Sequence, residues 1–391
     1  MTQEDKAILL QPTAIGKGTE HVLEMSNRVV MSPMTRGRSD DDFVPHDFMA
    51  KYYAQRASTG LIITEATAFN KAGAGWFRAP GIWTQEMIDA WKPITKAVHD
   101  KGGKIAMQLW HMGRQGHSDV IGHQPYSASE IPLTAPITAK NGEKKDPEVP
   151  KSITVEEIAQ TVKEFGEGAR NALEAGFDAV EIHGANGYLV DQFSQSKTNK
   201  RTDQYGGSIE NRLRFMREVV EECLKYVPKE RLGIRLSPNG KFGEMGSEDN
   251  NETFTEAIRF LAGKRLGFID LMDGLGFGFH ELSEPFTAKM ARDIIREVQK
   301  DEGVATMLFV NVGYTKESAE AELKAAQAEE PYVDTAVAFG RPLISTPDLV
   351  ERFENGWELN PDAEYPTWWH YNTEQGYTDF PTYEELQEQK K

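Results

Sequence analysis

The run VEEIAQTVKEFGEGARNALEAGFDAVEIHGA, residues 155–185, contains one helix followed by one strand. Its first part, Val155–Ala175, repeats apolar residues at helical spacing, and Thr154 with Glu157 supplies a capping box at the start. Its last part, Ala179–Ala185, is a nearly continuous apolar run, which is typical of a parallel strand buried on both faces. The stretch therefore predicts one unit of a parallel α/β fold.

Seven further runs of this kind occur along the chain, with helical periodicity between them. The predicted strands are Arg28–Met34, Leu61–Thr67, Lys104–Trp110, Leu232–Pro238, Phe268–Gly274, Thr306–Val312 and Thr335–Arg341. The other predicted helices are Glu86–His99, Ile209–Tyr226, Phe254–Leu266, Ala288–Lys300 and Thr315–Ala328. Eight alternating units favour one (β/α)8 TIM barrel over several domains. We therefore expect residues 1–391 to form a single α/β barrel domain.

Composition argues against several classes of protein. The 391 residues carry 44 Lys and Arg against 61 Asp and Glu, a formal net charge of −17, which argues against nucleic acid or an anionic membrane as partner. With one cysteine, Cys223, and no HExxH or CxxC motif, neither a disulfide framework nor a metal site is expected. No apolar run reaches the ~18 residues of a membrane span, and the N-terminus does not resemble a secretory signal. These features favour a cytoplasmic protein.

Two segments lie outside the regular β/α alternation. The third and fourth predicted strands begin 75 residues apart, and the excursion at about 111–152 is rich in Gly, Pro and Lys. Loops of this length are often lids over a site, although a surface insertion without function is the alternative. After Arg341 come a predicted helix, Thr346–Glu354, and an aromatic tail that we expect to pack on the barrel rim.

Residues at the ends of the last two strands indicate a phosphate site. TIM barrels often bind phosphate with the loops after strands 7 and 8. Gly313 and Gly340 allow backbone N–H groups to approach an anion, and Arg341 adds a bidentate donor. Each glycine could also be an ordinary turn residue.

Two polar residues interrupt apolar strands. Arg235 lies within GIRLSP, and a buried guanidinium requires an anion or a ring as partner. The alternative to a ligand is a salt bridge to a barrel carboxylate such as Glu65 or Glu181. Gln108, in QLW, could pair with a planar amide-like ligand edge or satisfy a neighbouring backbone group.

Three polar side chains follow the fourth strand in the sequence HGANGY. His183 and Asn186 are hydrogen-bond donors suited to polarising a carbonyl oxygen, and Tyr188 is a candidate general acid. Gly184 and Gly187 allow the chain to turn there. The group predicts a catalytic site rather than three unrelated structural residues.

The chain resembles the old yellow enzyme family of flavin-dependent ene-reductases over roughly residues 8 to 385. The matching motifs are SPMTR (Ser32–Arg36), APGIW (Ala79–Trp83), QLWHMGR (Gln108–Arg114), HGANGYLVDQF (His183–Phe193), SKTNKRTDQYGGSIENRLRF (Ser196–Phe215), AFGRP (Ala338–Pro342) and GYTDFP (Gly376–Pro381). The resemblance implies noncovalently bound FMN and NADPH or NADH as reductant. The implied cofactor-binding residues are Pro33, Met34, Thr35, Ala66, Gln108, Arg235, Gly313, Gly340 and Arg341.

The resemblance also implies a mechanism, in which reduced FMN passes hydride to an electron-poor alkene. His183 and Asn186 would bind the carbonyl oxygen of an enone or enal, and Tyr188 would protonate the α-carbon. Trp110 and Phe277 would shape the substrate pocket. Nitroalkenes or nitrate esters are further expected substrates, and a monomer or homodimer is the expected assembly.

Several residues depart from the family pattern. Val312 precedes Gly313 where many relatives have two glycines, the MDGLGFGFH loop after strand 6 differs, and Thr367–Trp369 replaces an aromatic–tyrosine pair whose role Tyr371 could take. The His–Asn pair is closer to microbial members than to plant oxophytodienoate reductases, which weakens a jasmonate-type assignment. An oxylipin (12-oxophytodienoate-like) reductase is nevertheless the alternative. A flavin-free phosphate-binding lyase or isomerase and a non-catalytic flavoprotein are alternatives of other classes.

Overall fold

The fold is a closed barrel of eight parallel strands, seen in a computed structural model that describes residues 6–369 and 373–389. Each strand pairs with the next along the chain, and the eighth pairs with the first, Val337 opposite Val29. The strands are β1 (Val29–Met31), β2 (Leu61–Ile63), β3 (Ile105–Trp110), β4 (Ala179–Gly184), β5 (Leu232–Leu236), β6 (Phe268–Leu271), β7 (Met307–Asn311) and β8 (Thr335–Phe339). The predicted TIM barrel is confirmed.

Helices lie between the strands, and further helices follow the last strand. They are α1 (Met49–Ala54), α2 (Gln85–His99), α3 (Ser118–Ile121), α4 (Val155–Glu174), α5 (Leu189–Ser194), α6 (Ile209–Arg212), α7 (Arg214–Cys223), α8 (Asn250–Gly263), α9 (Ala288–Gln299), α10 (Lys316–Gln327), α11 (Arg341–Ser345), α12 (Leu349–Asn355) and α13 (Tyr383–Gln389). The capping box of Thr154 and Glu157 is present at the start of α4. None of the helices in residues 6–369 and 373–389 is both long and apolar enough to cross a membrane.

Three details differ from the sequence prediction. The single helix expected over Ile209–Tyr226 is wrong, because the chain breaks at Leu213 into α6 and α7. Helix α1 and an antiparallel hairpin, Thr13–Ile15 with Leu23–Met25, were not predicted. Segments this short carry too few periods of apolar residues to be recognised.

Apolar side chains fill the barrel interior from its N-terminal end. Ile15, Leu23 and Met25 of the N-terminal hairpin belong to the same cluster as the inward residues of the strands, among them Phe268 and Phe309, whose rings stack at 4.7 Å. The hairpin thus plugs the N-terminal end of the barrel. This leaves the C-terminal end for polar side chains and a cavity.

The excursion between β3 and α4 folds into small pieces of sheet. Tyr126–Ser127 pairs with Lys151–Ser152, and Ile137–Thr138 forms a hairpin with Lys144–Lys145. Several of its residues line the cavity, including Leu133. The excursion therefore stands over the open end of the barrel.

The C-terminal tail packs on the rim, as expected. Arg36 donates hydrogen bonds to the carbonyls of Trp368 (2.9 Å) and Gly376 (2.7 Å). The ring of Tyr377 stacks on Tyr52 of α1 at 3.9 Å. Tyr371, which was expected to replace a missing tyrosine, lies outside the described residues, while the aromatic Trp369 lines the cavity.

Candidate active site

A cavity of about 1100 Å³ opens at the C-terminal ends of the strands. It collects residues that are far apart in the chain, because parallel strands of a closed barrel all end at one rim. Of the predicted site residues, it is lined by Pro33, Met34, Thr35, Ala66, Gln108, His183, Asn186, Tyr188, Arg235, Phe277, Gly313, Gly340 and Arg341. Trp110 differs: it is fully buried and does not line the cavity, but packs edge-on behind Tyr188 at 5.3 Å.

The turn after β4 is shaped by two glycines and one strained residue. A side chain at Gly184 would come within 2.9 Å of the Arg235 carbonyl oxygen, and Gly187 has φ +68°. Asn186 also adopts a left-handed conformation (φ 57°), which asparagine tolerates better than most residues. Its backbone N–H donates to the Ser237 hydroxyl at 2.8 Å, and Gln115 donates to its carbonyl at 2.8 Å. These bonds fix the Asn186 backbone at the cavity wall.

His183 is held as a neutral hydrogen-bond donor. Its Nδ1 accepts the backbone N–H of Ala185 at 3.3 Å, so the ring proton lies on Nε2. Burial lowers the pKa of the His183 imidazole well below its usual value, and the nearby Arg235 guanidinium lowers it further. The imidazole therefore stays uncharged at neutral pH while its Nε2–H remains available to a ligand.

Tyr188 keeps its proton across the physiological range. Its ring meets His183 edge-on at 4.8 Å, and burial raises the pKa of the phenol, an effect that Arg235 opposes. The phenol is 9% exposed and lines the cavity. A protonated hydroxyl next to a neutral imidazole donor is an arrangement that can bind an oxygen atom and deliver a proton.

Asp191 was not predicted, and it supports the turn after β4. This fully buried carboxylate accepts the backbone N–H of Gly187 and the side-chain amide of Gln195, both at 2.8 Å. The side-chain oxygen of Gln195 in turn accepts the N–H of Gly246 at 2.9 Å. The turn that presents Tyr188 is thereby connected to the loop after β5.

We expect Asp191 to make stability depend on pH. Burial raises the pKa of its carboxyl to about 7, against about 3.9 in an unfolded chain. Between these values the native state binds more protons, so the contribution of Asp191 to stability falls as pH rises from about 4 to about 7. In Asp191→Asn that dependence is lost, so urea denaturation should show the stability of wild type falling relative to the variant as pH rises.

Asp203→Asn is the matched control, because the pKa of Asp203 is shifted in the opposite direction to that of Asp191. A hydrogen bond from Arg201 lowers the pKa of Asp203, so its contribution to stability is lost only as pH falls below about 4. Over pH 4 to 7, Asp203→Asn should therefore leave the pH dependence of stability unchanged. If wild type and Asp191→Asn change stability in parallel over pH 4 to 7, the role given to Asp191 is wrong.

The floor of the cavity is a polar layer inside the barrel. Gln108 Nε2 donates to Glu181 at 2.7 Å. Arg235 Nε lies 3.2 Å from Asp270 on β6, and Asn311 Nδ2 donates to Asp270 at 2.5 Å. Arg235 thus does have a barrel carboxylate as ion-pair partner, the expected alternative to a ligand, but this partner is Asp270 and not Glu65 or Glu181.

Glu65 has a different function, since it fixes the loop after β1. Its Oε2 accepts the backbone N–H groups of Arg36 (3.0 Å) and Gly37 (2.9 Å). Tyr53 donates from its hydroxyl to the other carboxylate oxygen at 3.4 Å. This arrangement holds Thr35, the preceding residue, at the cavity wall.

The residues predicted to hold phosphate lie on one side of the cavity. Gly313 has φ +89°, and a side chain added there would meet no atom within 4 Å, so the space beside it is open. Val312 also has positive φ (81°), which strains a β-branched residue. A side chain at position 274 would come within 1.9 Å of the Val312 carbonyl oxygen, so this position requires glycine. The exposed Arg341 guanidinium lies 5.7 Å from the Trp368 ring.

Aromatic residues at the mouth were missed by sequence reasoning. Phe242, on the loop after β5, lies 6.5 Å from Tyr188 and 5.5 Å from Phe277, both measured between ring centroids. Trp76 and Trp368 also line the cavity. The sequence does contain a signal for Phe242. This residue follows the strand that carries Arg235, and the loops after barrel strands lie at the open end of the barrel.

Comparisons with known proteins identify the family of this chain. The sequence profile of the NADH:flavin oxidoreductase / NADH oxidase family matches residues 9–360. A probable flavin mononucleotide-dependent alkene reductase of Leishmania infantum is 39% identical over 381 residues, covering 96% of this chain and 97% of that protein. A putative 12-oxophytodienoate reductase 5 of rice, Oryza sativa subsp. japonica, is 38% identical over 373 residues, 93% of each chain.

A solved structure extends the similarity to the fold. The old yellow enzyme homologue from Zymomonas mobilis superposes with a TM-score of 0.85 at 38% identity, covering 95% of this chain and 99% of that one. The sequence and the barrel fold are therefore both those of one protein family. The chain belongs to the NADH:flavin oxidoreductase / NADH oxidase family, which includes the old yellow enzymes.

Proposed function

We propose that this protein is an FMN-dependent NAD(P)H ene-reductase that reduces the activated C=C bond of α,β-unsaturated carbonyl compounds. The observation that carries the proposal is the convergence of His183, Asn186 and Tyr188 on one cavity above the buried Gln108 and Arg235. The activity agrees with that named for the Leishmania relative.

The residues present fit FMN. The cavity volume of about 1100 Å³ exceeds the roughly 300–1,000 Å³ of common ligand pockets, which leaves space for a flavin and a substrate together. The Arg235 guanidinium donates to protein acceptors at 3.3–3.4 Å, and its Nε lies 3.2 Å from Asp270 without forming a hydrogen bond, so it retains donor capacity for a ligand. Gly313 offers open space to a phosphate.

Each face of the cavity has a role toward this cofactor. Gln108 and Arg235 would bind the pyrimidine edge of the ring, and Thr35 with the backbone of Pro33 and Met34 would bind its other polar edge. Gly313, Gly340 and Arg341 would hold the phosphate, and Ala66 would flank the ring. When bound, FMN supplies hydride chemistry, since it can take two electrons from NADPH or NADH and return them to an alkene.

The substrate-side residues act on the carbonyl group and the α-carbon. His183 Nε2–H and the Asn186 side-chain amide would donate to the carbonyl oxygen, stabilising the negative charge that develops there as the β-carbon gains hydride. Tyr188 would donate its hydroxyl proton to the α-carbon. Phe242 and Phe277 would exclude water on the outer side, and Trp110 supports the Tyr188 ring from behind.

The physiological oxidising substrate belongs to one of several classes of compound. Enones and enals are the main candidates, with nitroalkenes or nitrate esters as further substrates. An oxylipin reductase is a second candidate, favoured by the 38% identity to the rice protein named as a putative 12-oxophytodienoate reductase. A panel of these oxidants, each mixed with NADPH and with NADH, would separate the candidates.

We further propose that residues 1–391 act as one FMN-binding barrel domain in the cytoplasm, with the excursion at about 111–152 as its lid. The expected assembly is a monomer or a homodimer. Light scattering coupled to size exclusion would distinguish the two states.

The purified protein is expected to be yellow and to release FMN on denaturation. NADPH oxidation should be stimulated by cyclohexenone. A colourless protein that ignores added FMN, or NADPH oxidation indifferent to every alkene, would contradict the proposal.

Arg341→Ala should weaken FMN binding. Removing a charged donor from a phosphate costs about 1.5–3 kcal/mol, which raises the FMN dissociation constant roughly 10- to 100-fold. Fluorescence titration of flavin-depleted protein would measure it. Arg259→Ala is the control, since Arg259 lies on α8 and pairs with Glu297 at 2.9 Å away from the cavity. Equal affinity of the two variants would remove Arg341 from the phosphate site.

A further inference from the structure

The polar layer beneath the cavity contains two carboxyl groups and one guanidinium. Glu181 on β4 and Asp270 on β6 are both 0% exposed, and Arg235 lies on β5, the strand between theirs. Arg235 and Asp270 are direct neighbours in register. If both carboxyls were ionised, the layer would hold an uncompensated negative charge in a water-excluded interior, where such a charge is costly.

Asp270 has the partners that an ionised carboxylate needs. Its Oδ2 lies 3.2 Å from Arg235 Nε, although the two groups are not aligned as a hydrogen bond. Its Oδ1 accepts from Asn311 Nδ2 at 2.5 Å, and Asn311 Oδ1 accepts from Arg235 Nη2 at 3.3 Å. Asn311 therefore ties the carboxylate and the guanidinium together from β7.

Glu181 has weaker support for a charge. Its Oε1 accepts from Gln108 Nε2, but its Oε2 has no hydrogen-bond partner among the described residues. Burial raises the pKa of Glu181 well above its usual value, and the charge of Asp270 raises it further. Burial also raises the pKa of Asp270, but Arg235 and Asn311 oppose that rise. His183 and Tyr188, two further titratable groups near Arg235, are both neutral.

We propose that Asp270 is the ionised counter-charge of Arg235 and Glu181 its protonated neighbour, so that Asp270 lowers the midpoint potential of FMN bound above them. The inference rests on the proposed function, because it requires FMN over Arg235. Arg235 favours negative charge on the reduced ring, and Asp270 offsets part of that attraction. Glu181 is a positioning residue, since it fixes the amide of Gln108.

Two isosteric variants of the FMN-loaded protein test this assignment. Asp270→Asn removes a charge and should raise the midpoint potential, favouring the reduced form about tenfold, or about 30 mV for a two-electron couple. Glu181→Gln removes no charge if Glu181 is protonated, and should shift the equilibrium less than about twofold. Equilibration with a reference dye during anaerobic reduction measures both. Equal shifts in the two variants, or no shift in Asp270→Asn, would overturn the inference.

A second measurement does not depend on the folding of Asp270→Asn. Infrared difference spectra of the holoenzyme, reduced minus oxidised, should contain the C=O band of a protonated carboxyl that is missing in Glu181→Gln. A spectrum unchanged by that substitution would overturn the assignment. Failure of wild type to bind any FMN would instead contradict the proposed function itself.

Discussion

Tyr188→Phe is expected to slow the reduction of cyclohexenone by roughly 10²- to 10⁴-fold, the usual contribution of a positioned general acid. Only the hydroxyl is removed, and the ring keeps its edge-on contacts with His183 at 4.8 Å and Trp110 at 5.3 Å. Since the proton is needed only when the alkene reacts, the rate at which NADPH reduces the bound FMN should change little. Stopped-flow absorbance, with the two half-reactions measured separately, checks this.

The control for this variant is Tyr205→Phe. Tyr205 is also buried and donates its hydroxyl to Glu218 at 2.8 Å, but it does not line the cavity. The Tyr205→Phe variant should leave the rates of both half-reactions unchanged. If Tyr188→Phe slowed both half-reactions equally, the tyrosine would be supporting the flavin site as a whole, and its assignment as the proton donor would be wrong.

His183→Ala is expected to cost about 2.7–4 kcal/mol in the alkene half-reaction, or roughly 10²- to 10³-fold in rate. The variant removes the Nε2–H donor of His183. The ring proton lies on Nε2 because Nδ1 accepts the backbone N–H of Ala185. Because a phenolate oxygen would use the same donors as the developing enolate, phenol binding should weaken as well. Single-turnover kinetics with cyclohexenone and spectral titration with a phenol measure the two effects.

His183→Asn is the matched variant, because its amide restores a hydrogen-bond donor near the same place. It should recover part of the lost rate and of the phenol affinity. If His183→Ala kept full turnover and unchanged phenol affinity, the paired-donor account of His183 and Asn186 would fail.

Much of the architecture could be predicted because β-strands buried on both faces form continuous apolar runs. Polar residues inside those runs, such as Gln108 and Arg235, then indicated the cavity floor. The partner of Arg235 was not found, because strand register depends on contacts between distant segments. The reasoning applied to Arg235 in GIRLSP would also have selected Asp270 in FIDL, since both are charged residues within apolar strands.

Other parts of the site depend on tertiary contacts that one sequence does not reveal. Phe242 reaches the mouth through a short 3₁₀ turn, Phe242–Glu244, in which Gly243 has positive φ. Asp191 reads as one polar residue of a short helix, yet it supports the Gly187 backbone through the fold. Trp110, expected to shape the substrate pocket, packs edge-on against the Tyr188 ring, which also contacts His183.

Anaerobic double mixing tests the central claim most directly. The yellow holoenzyme is first bleached with one equivalent of NADPH, and cyclohexenone is then added. The account predicts that the oxidised spectrum returns while one equivalent of cyclohexanone forms. A bleached enzyme that stays bleached with every enone, enal and nitroalkene, yet reoxidises in air, would contradict the assignment of this protein as an ene-reductase.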